Sequence, residues 1–312
     1  MSEIHVVFGA GQVGTQLAGR LLTAGKHVRV VRRSVGPVAE GTERVPGDAT
    51  DRDLCVRAAD GAAAVYHCMN PSYDSDLWAR VVPTLMENLI AAASATGARL
   101  VVLDNLYMYG KPSGPITTDT PFNPESRKGE IRAQASDMLA EAERRGDVRA
   151  AVARASDFFG PGGHGTHFAD RFWKPALAGK TVYTLLDPDA THSYNYIPDV
   201  AAGLAALGLA EDDVLGKTWM LPACEATTAR ELAQHFSTAL GREIRLAKTP
   251  RIVVKGLGLF MPIVKEIDEM LHQWEAPFVI DDRPLRERFG IAPTPMDEAA
   301  RETVAWAREE YR

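Results

Sequence analysis

Ile4-His5-Val6-Val7-Phe8-Gly9-Ala10-Gly11-Gln12-Val13-Gly14 is a short apolar run that breaks into a glycine-rich turn. The run reads as a buried β-strand, and Gly9, Gly11 and Gly14 keep the G-x-G-x-x-G spacing. The first glycine permits the tight turn, the second lets backbone approach a pyrophosphate, and the third lets helix and strand pack closely. The segment from Gln12 to Ala24 has a helical pattern and would offer its unpaired N–H groups to the phosphates. Gly9, Gly11, Gln12, Val13 and Gly14 are therefore the first candidate cofactor-binding residues.

The second strand, His27-Val28-Arg29-Val30-Val31, ends at Arg32-Arg33-Ser34. A site for the unphosphorylated dinucleotide carries Asp or Glu about 20 residues after the glycines, on the ribose 2'-hydroxyl. Here Arg32 and Arg33 stand instead. A carboxylate repels a 2'-phosphate, whereas a guanidinium pairs with it and stacks on adenine, so the expected cofactor is NADP(H). A solvated basic strand end is the plainer alternative. Asp48 and Ala49, after a short third strand, are expected near the adenine, and His67, Asn70 and Ser156 at strand edges facing the cofactor.

The chain has 312 residues, 46% apolar and 24% charged, a globular composition with length for one dinucleotide domain and a smaller lobe. A formal charge of −6, with no basic run beyond Arg32-Arg33, argues against a nucleic-acid surface. Neither a signal-peptide pattern nor an 18-residue apolar span occurs, so no membrane association is expected. The three cysteines, Cys55, Cys68 and Cys224, show neither disulfide density nor metal spacing; a cytoplasmic location and no metal are expected.

Strand patterns at 4–8, 27–32, 43–46, 63–67, 99–103 and 148–154 alternate with helical ones at 12–24, 51–59, 76–96 and 127–145. That rhythm predicts an α/β, doubly wound, Rossmann-like parallel sheet with a smaller C-terminal substrate lobe. The expected division is a dinucleotide-binding core over 1–160 and a mixed lobe over 161–312 that returns segments to the core. In the lobe, helices are expected at 166–178, 199–210 and 228–240 and strands at 181–185, 192–197 and 217–221. The apolar stretch 250–274 is expected to be helical, covering a pocket, a partner or core, and a last helix follows Pro295.

With these landmarks placed, the chain resembles the extended short-chain dehydrogenase/reductase superfamily, its epimerase/dehydratase-like and atypical branches. The resemblance rests on the opening turn, Gly47-Asp48-Ala49-Thr50-Asp51, Tyr109-Gly110, Arg154 through Gly162, and Asn195-Tyr196-Ile197-Pro198-Asp199. Phe8 holds the family's earliest glycine position. The resemblance implies a Ser or Thr at the fifth strand and a Tyr-x-x-x-Lys on the next helix, and it implies a homodimer. Counting back from Tyr109-Gly110 places Asn105 at the serine position. Aligning Thr120-Pro121-Phe122 and Pro124-Glu125-Ser126 places Lys128 at the tyrosine position and Arg132 at the lysine position. The usual triad is absent.

The leading expectation is an NADP(H)-dependent oxidoreductase acting on a small carbonyl, alcohol, imine or activated alkene. Tyr107 would be its acid/base, activated by a nearby Lys128 or Arg132 cation that favours tyrosinate. Asn105 would donate to an oxyanion, and Lys128 and Arg132 would orient cofactor or substrate. Tyr73, Tyr107, Asp157, Phe158 and His192 are candidate substrate contacts, with Asp157 facing or orienting Lys128. Each has a plainer counterpart: Tyr107 packed under its loop, Lys128 and Arg132 on a charged surface, His67 satisfying a backbone group, Phe158 packing. Tyr107-Met108-Tyr109-Gly110-Lys111 spells Tyr-x-x-x-Lys where the strand leaves the sheet, and reads as a decoy. A non-catalytic NADP(H)-binding regulator or scaffold is the second reading, and a sugar-nucleotide epimerase or dehydratase the third.

Overall fold

The structure, a computed structural model, describes residues 2–34, 36, 38–250 and 262–312. Its first half runs β1 (Ile4–Phe8), α1 (Gln12–Thr23), β2 (His27–Arg32), β3 (Glu43–Pro46), α2 (Arg52–Ala58), β4 (Ala62–His67), α3 (Ser75–Thr96), β5 (Arg99–Asp104), α4 (Arg127–Arg144), β6 (Arg149–Arg154) and β7 (Asp157–Phe159). The central sheet has seven strands, ordered Lys217–Met220, β6, β5, β4, β1, β2, β3, and all its pairings are parallel. This is the doubly wound order, reversing between β1 and β4, where ligands enter above the strand ends.

The strand sequences explain the layers. Ala62-Ala63-Ala64-Val65-Tyr66 and Leu100-Val101-Val102 are apolar on both faces because helices cover both. Trp78, Leu85, Leu89 and Leu139 of α3 and α4 pack on one face; Leu17 and Leu21 of α1 and Val200 and Leu204 of the helix Ile197–Leu209 pack on the other. The lobe has an aromatic core of its own, in which Phe159, Phe168, Phe172, Trp173, Tyr194, Tyr196 and Phe236 meet. Strand Tyr194–Tyr196 pairs in parallel with β7, which fixes the lobe to the end of the main sheet.

Departures from the expected elements are local. The strand expected over 192–197 is divided: Thr191–His192 pairs antiparallel with Thr227–Thr228, then Tyr194–Tyr196 joins β7. At the break, Ser193 donates its N–H to the Phe278 carbonyl, and its Oγ accepts from the Ile280 N–H. Of the apolar stretch 250–274, residues 251–261 lie outside the described residues. The rest is a helix, Pro262–Asp268, and a 3-10 turn, Leu271–Trp274. Among the described residues no helix is long and apolar enough to cross a membrane.

Candidate functional site

Helices α2, α3 and α4 are closed by side chains at their N-termini: Asp51, Asp74 and Ser126 accept from the N–H groups of Leu54, Leu77 and Gly129. Such caps each contribute about 1 kcal/mol. Helix α1 is the exception. Its N-cap is Gly11, without a side-chain cap, so no side chain closes its first N–H groups where the helix starts beyond β1. A Cβ on Gly14 would lie 1.8 Å from the Gly9 carbonyl oxygen, and one on Gly9 (φ +104°) would lie 2.8 Å from the Cys68 carbonyl oxygen. A Cβ on Gly11 would meet nothing within 4 Å. Gly9 and Gly14 are thus demanded by the protein's own backbone, while Gly11 borders open space at a helix N-terminus. These features fit a dinucleotide pyrophosphate. Val13 is core, and Gln12 Oε1 accepts from the Gly165 N–H (3.3 Å).

At the end of β2, Arg32 donates to Ser34 Oγ (3.0 Å) and lies beneath Gly36. Arg33 is exposed and pairs with Asp48 (3.5 Å), whose other oxygen accepts from the N–H and hydroxyl of Thr50. The Thr50 N–H chiefly holds the Asp48 carboxyl below its usual range. Ala49 is buried, and its carbonyl accepts from Asn88.

The neighbouring strand ends carry the rest. His67 is buried, and its Nδ1 accepts from the Met69 N–H (3.2 Å), the plainer of its two expected roles. Burial, with Arg132 nearby, pushes its imidazole down to about 3. Asn105 forms a turn in which its Oδ1 accepts from the Tyr107 N–H (3.1 Å). Arg132 is buried. Its guanidinium donates to Asn70 Oδ1 (2.5 Å), faces Asp104 Oδ1 (3.4 Å) and lies 4.7 Å from the centroid of the Trp78 ring.

Lys128 requires a correction. The expected cation on a cofactor-facing or solvated helix surface is fully buried. Its Nζ is bonded to the carboxylates of Glu266 and Glu269 and to Ser75 Oγ (3.0 Å). Both carboxylates also cap helices: Glu266 accepts from the Ser75 N–H (3.0 Å) and Glu269 from the Lys128 N–H (3.0 Å). One ammonium between two carboxylates has no net positive field to spare. Burial opposes ionisation of Glu266 and Glu269, but Lys128 outweighs it and holds both below the usual carboxylate range.

That arrangement overturns the expected activation of Tyr107. Its half-buried ring stacks on Trp78 (centroids 5.9 Å apart, planes 9°), and its hydroxyl receives a hydrogen bond from Tyr73 (3.4 Å). Burial pushes its phenol up to about 12, with Asp157 and Glu269 adding to the rise; Arg132 and the Tyr73 hydrogen bond oppose it and lose. Tyr73, beneath the Lys128 ammonium at 4.5 Å, is raised further, again by burial first. Both are neutral donors. Tyr107–Tyr109 is a 3-10 turn and Lys111 pairs with Glu125 and Glu275, so the apparent Tyr-x-x-x-Lys lies on no helix face.

Asp157 is also placed differently from expectation. It pairs not with Lys128 but with two histidines, accepting from His192 Nε2 (2.7 Å) and His167 Nε2 (3.2 Å). Burial opposes its ionisation, yet those two hydrogen bonds hold its carboxyl well below the usual range. Ser156 Oγ lies 3.1 Å from the same His192 nitrogen, so the three do not form a nucleophilic relay, which needs both ring nitrogens. The buried His192 ring is stacked between Trp274 (5.0 Å) and Phe278 (5.3 Å). Phe158 packs against the apolar core behind the sheet.

Sequence reasoning missed Trp78, His167, Glu266, Glu269 and Trp274. A partial signal existed: Glu266 and Glu269 are three apart, the spacing of one helical face, within a mostly apolar stretch.

The fold resembles several solved enzymes. UDP-glucuronic acid 4-epimerase from Bacillus cereus, in complex with NAD, has a TM-score of 0.78 and 16% identity, over 99% of this chain and 100% of that one. UDP-glucose 4-epimerase from Thermotoga maritima, with UDP-glucose, has a TM-score of 0.80 and 16% identity, over 99% and 100%. The Bordetella bronchiseptica enzyme WbmH, in complex with NAD+, has a TM-score of 0.75 and 20% identity over the full length of both chains. No curated protein sequence matches this chain significantly. The model of the NAD dependent epimerase/dehydratase family matches residues 5–220, more than two thirds of the 312-residue chain, and the sheet order and glycine turn agree with it. The chain belongs to the NAD dependent epimerase/dehydratase family.

Proposed function

We propose that this family member is an NADP(H)-dependent oxidoreductase that works in the reductive direction on the carbonyl of a small organic molecule. The observation that carries the reading is the placement of the Tyr107 hydroxyl just past β5, its ring held on Trp78 and its oxygen 3.4 Å from the Tyr73 hydroxyl. A phenol kept protonated can give its proton to the alkoxide that hydride transfer leaves on the substrate. Bound nicotinamide supplies the hydride; the protein's part is alignment, a proton and stabilisation of developing charge. The open Gly11 turn and the uncapped start of α1 suit the pyrophosphate, and Arg32 with Arg33 suits a 2'-phosphate better than a bare ribose. Tyr107 is assigned the proton. Asn105, whose Oδ1 is already engaged, has its Nδ2 left to donate, and Arg132 holds Asn70 and Asp104 in place beside it.

A sugar-nucleotide epimerase or dehydratase is the second reading, favoured by the family and by the neighbours that carry NAD and UDP-sugars. That chemistry begins by deprotonating a hydroxyl. Here the family's base position is Lys128, enclosed by carboxylates.

The two readings separate in one assay. NADPH or NADH is supplied with a panel of ketones, aldehydes and enones, and oxidation is followed by absorbance. In parallel, UDP-glucose and UDP-glucuronic acid are incubated with NAD and analysed for epimers. The reductase reading predicts net NADPH oxidation, lowered about 100-fold or more by Tyr107→Phe with NADPH affinity retained. Redox-neutral epimer formation without net oxidation refutes it. Tight NADPH binding with no turnover on either panel favours a regulator.

A further inference from the structure

The reductase reading leaves the second phenol without a task, and its position assigns one. We infer that Tyr73 is a second catalytic donor: its hydroxyl and that of Tyr107 form a two-phenol site that holds one carbonyl oxygen of the substrate as it takes on negative charge. This rests on the reading above and adds to it the substrate class, an uncharged carbonyl compound.

The geometry is that of convergent donors. The two hydroxyl oxygens lie 3.4 Å apart, long for a hydrogen bond between phenols. An acceptor oxygen lodged between them can lie within about 2.7–3.1 Å of both, the range of an oxyanion site. The phenols come from adjacent strand ends, Tyr73 after β4 and Tyr107 after β5, next to the crevice where the glycine turn lies. Each ring is fixed from behind. Trp78 stacks on Tyr107 and meets Tyr73 edge-on at 5.8 Å, while Lys128 Nζ lies over the Tyr73 ring. Donors held this rigidly need little reorganisation when charge develops. Asn105 is a weaker partner, because its side chain is already tied into the turn below Tyr107.

The surrounding charges set the substrate class. Among the described residues, the cations beside the phenols, Lys128 and Arg132, are already matched by Glu266, Glu269 and Asp104. An anionic substrate group other than the oxygen held between the two hydroxyls would find those partners taken and carboxylates close by. A neutral carbonyl needs only O–H donors, and both phenols are kept protonated by burial with Asp157 and Glu269 nearby. A bound reduced nicotinamide would supply the hydride for the new C–H bond, leaving the carbonyl π pair on oxygen for the protein's donors to meet. The Tyr107 O–H breaks to make the product hydroxyl. Tyr73, which donates to Tyr107 at rest, passes its proton to the Tyr107 oxygen, and solvent returns one proton to Tyr73.

The test needs a readout apart from turnover. The protein without nucleotide is titrated with 4-nitrophenol across its ionisation, and phenolate binding is followed by visible absorption. Wild type is expected to bind the phenolate, with Tyr73→Phe and Tyr107→Phe each weakening it about tenfold or more. Incorporating 3-fluorotyrosine at position 73 alone keeps the shape, makes the hydroxyl a stronger donor and should tighten binding severalfold. In turnover, Tyr73→Phe should lower kcat about tenfold or more at little change in KM for NADPH. Wild-type protein that ignores the phenolate, or Tyr73→Phe protein that binds it normally, overturns the inference. Carbonyl reduction that needs Tyr107 but not Tyr73 overturns it too, and leaves the reductase reading standing. Phenolate binding through both tyrosines without reduction of any carbonyl sinks the reductase reading and leaves the two-phenol site in place.

Discussion

Replacing Lys128 by Met separates a buried structural ion from a cofactor-binding one. In the folded protein the Lys128 ammonium is wholly enclosed, and the Glu266 and Glu269 side chains are 21% and 23% exposed. Met nearly matches the aliphatic stem but leaves two carboxylates facing each other. Breaking a buried ion pair by removing one partner costs about 3–5 kcal/mol, and partial solvent access to the carboxylates places this case near 3. For a chain of this length each kcal/mol corresponds to about 1.5 °C, so the melting temperature at pH 7.5 should fall by about 5 °C. The pH dependence has a definite sign. Glu266 and Glu269 have depressed folded-state values, so their contribution is present above the ordinary carboxylate range and is lost as pH falls through it. The gap between wild type and Lys128→Met should therefore close as the pH drops below about 4. Adding Glu266→Gln and Glu269→Gln to Lys128→Met should recover much of the loss, because the uncompensated charges are gone. Calorimetry measures both, and titration with NADPH gives the second arm, where affinity should stay within about threefold of wild type. An unchanged melting temperature with a tenfold or greater loss of NADPH affinity would show that Lys128 faces the nucleotide, and the reasoning would fail.

Three further outcomes test other parts. Arg32→Glu should weaken NADPH binding by tenfold or more while changing NADH binding little; an equal loss for both would remove its 2'-phosphate role. Gly11→Ala should preserve the melting temperature and lower nucleotide affinity, whereas Gly14→Ala, with its methyl 1.8 Å from a carbonyl oxygen, should destabilise the fold itself. Equivalent melting losses for the two would contradict the division between backbone-packing and ligand-facing glycines. His5, buried against Tyr66, has its imidazole pushed down to about 4 by burial, so its contribution is intact above about pH 6.5 and disappears as pH falls toward 4. His5→Gln should remove up to about 3 kcal/mol of that acid-side loss, seen as a flatter melting curve between pH 7 and 4. A slope unchanged by the substitution would mean that His5 does not titrate as described.

What was legible in the sequence was local or periodic. The β1 turn carries its own geometry in eleven consecutive residues, and the buried strands announce themselves as apolar runs, so sheet and cradle could be read directly. Spacing along α4 also located Lys128 and Arg132. Their charge state toward the site could not be read the same way. It depends on Glu266 and Glu269, 138 and 141 residues downstream, and on Asp104 across the sheet edge. Asp157 is legible as a pocket residue from its strand end, but its partner His167 follows a glycine-rich loop whose path no local pattern specifies. Ionisation is the least local property of all, since desolvation sums over every element that packs around a group.

The inverted environment of Tyr107 follows from the same long-range pairing. In a phenol–ammonium couple, a nearby unpaired cation lowers the phenol and makes tyrosinate available as a base, which suits oxidation of an alcohol. Here an ammonium is present, 4.5 Å from the Tyr73 ring, yet two carboxylates from the C-terminal segment bind it first. What remains for the phenols is burial, and burial favours the neutral form. The substitutions at positions 128 and 132 therefore need not amount to lost chemistry. On the reductase reading, they leave two protonated phenols beside the family's base position, with Glu266 and Glu269 holding the Lys128 charge. Glu266→Gln with Glu269→Gln, which frees the Lys128 charge, should lower the Tyr107 phenol and shift the pH–rate profile to lower pH in both directions of the reaction. A pH–rate profile unmoved by the pair of substitutions would break the link between the carboxylates and the phenol.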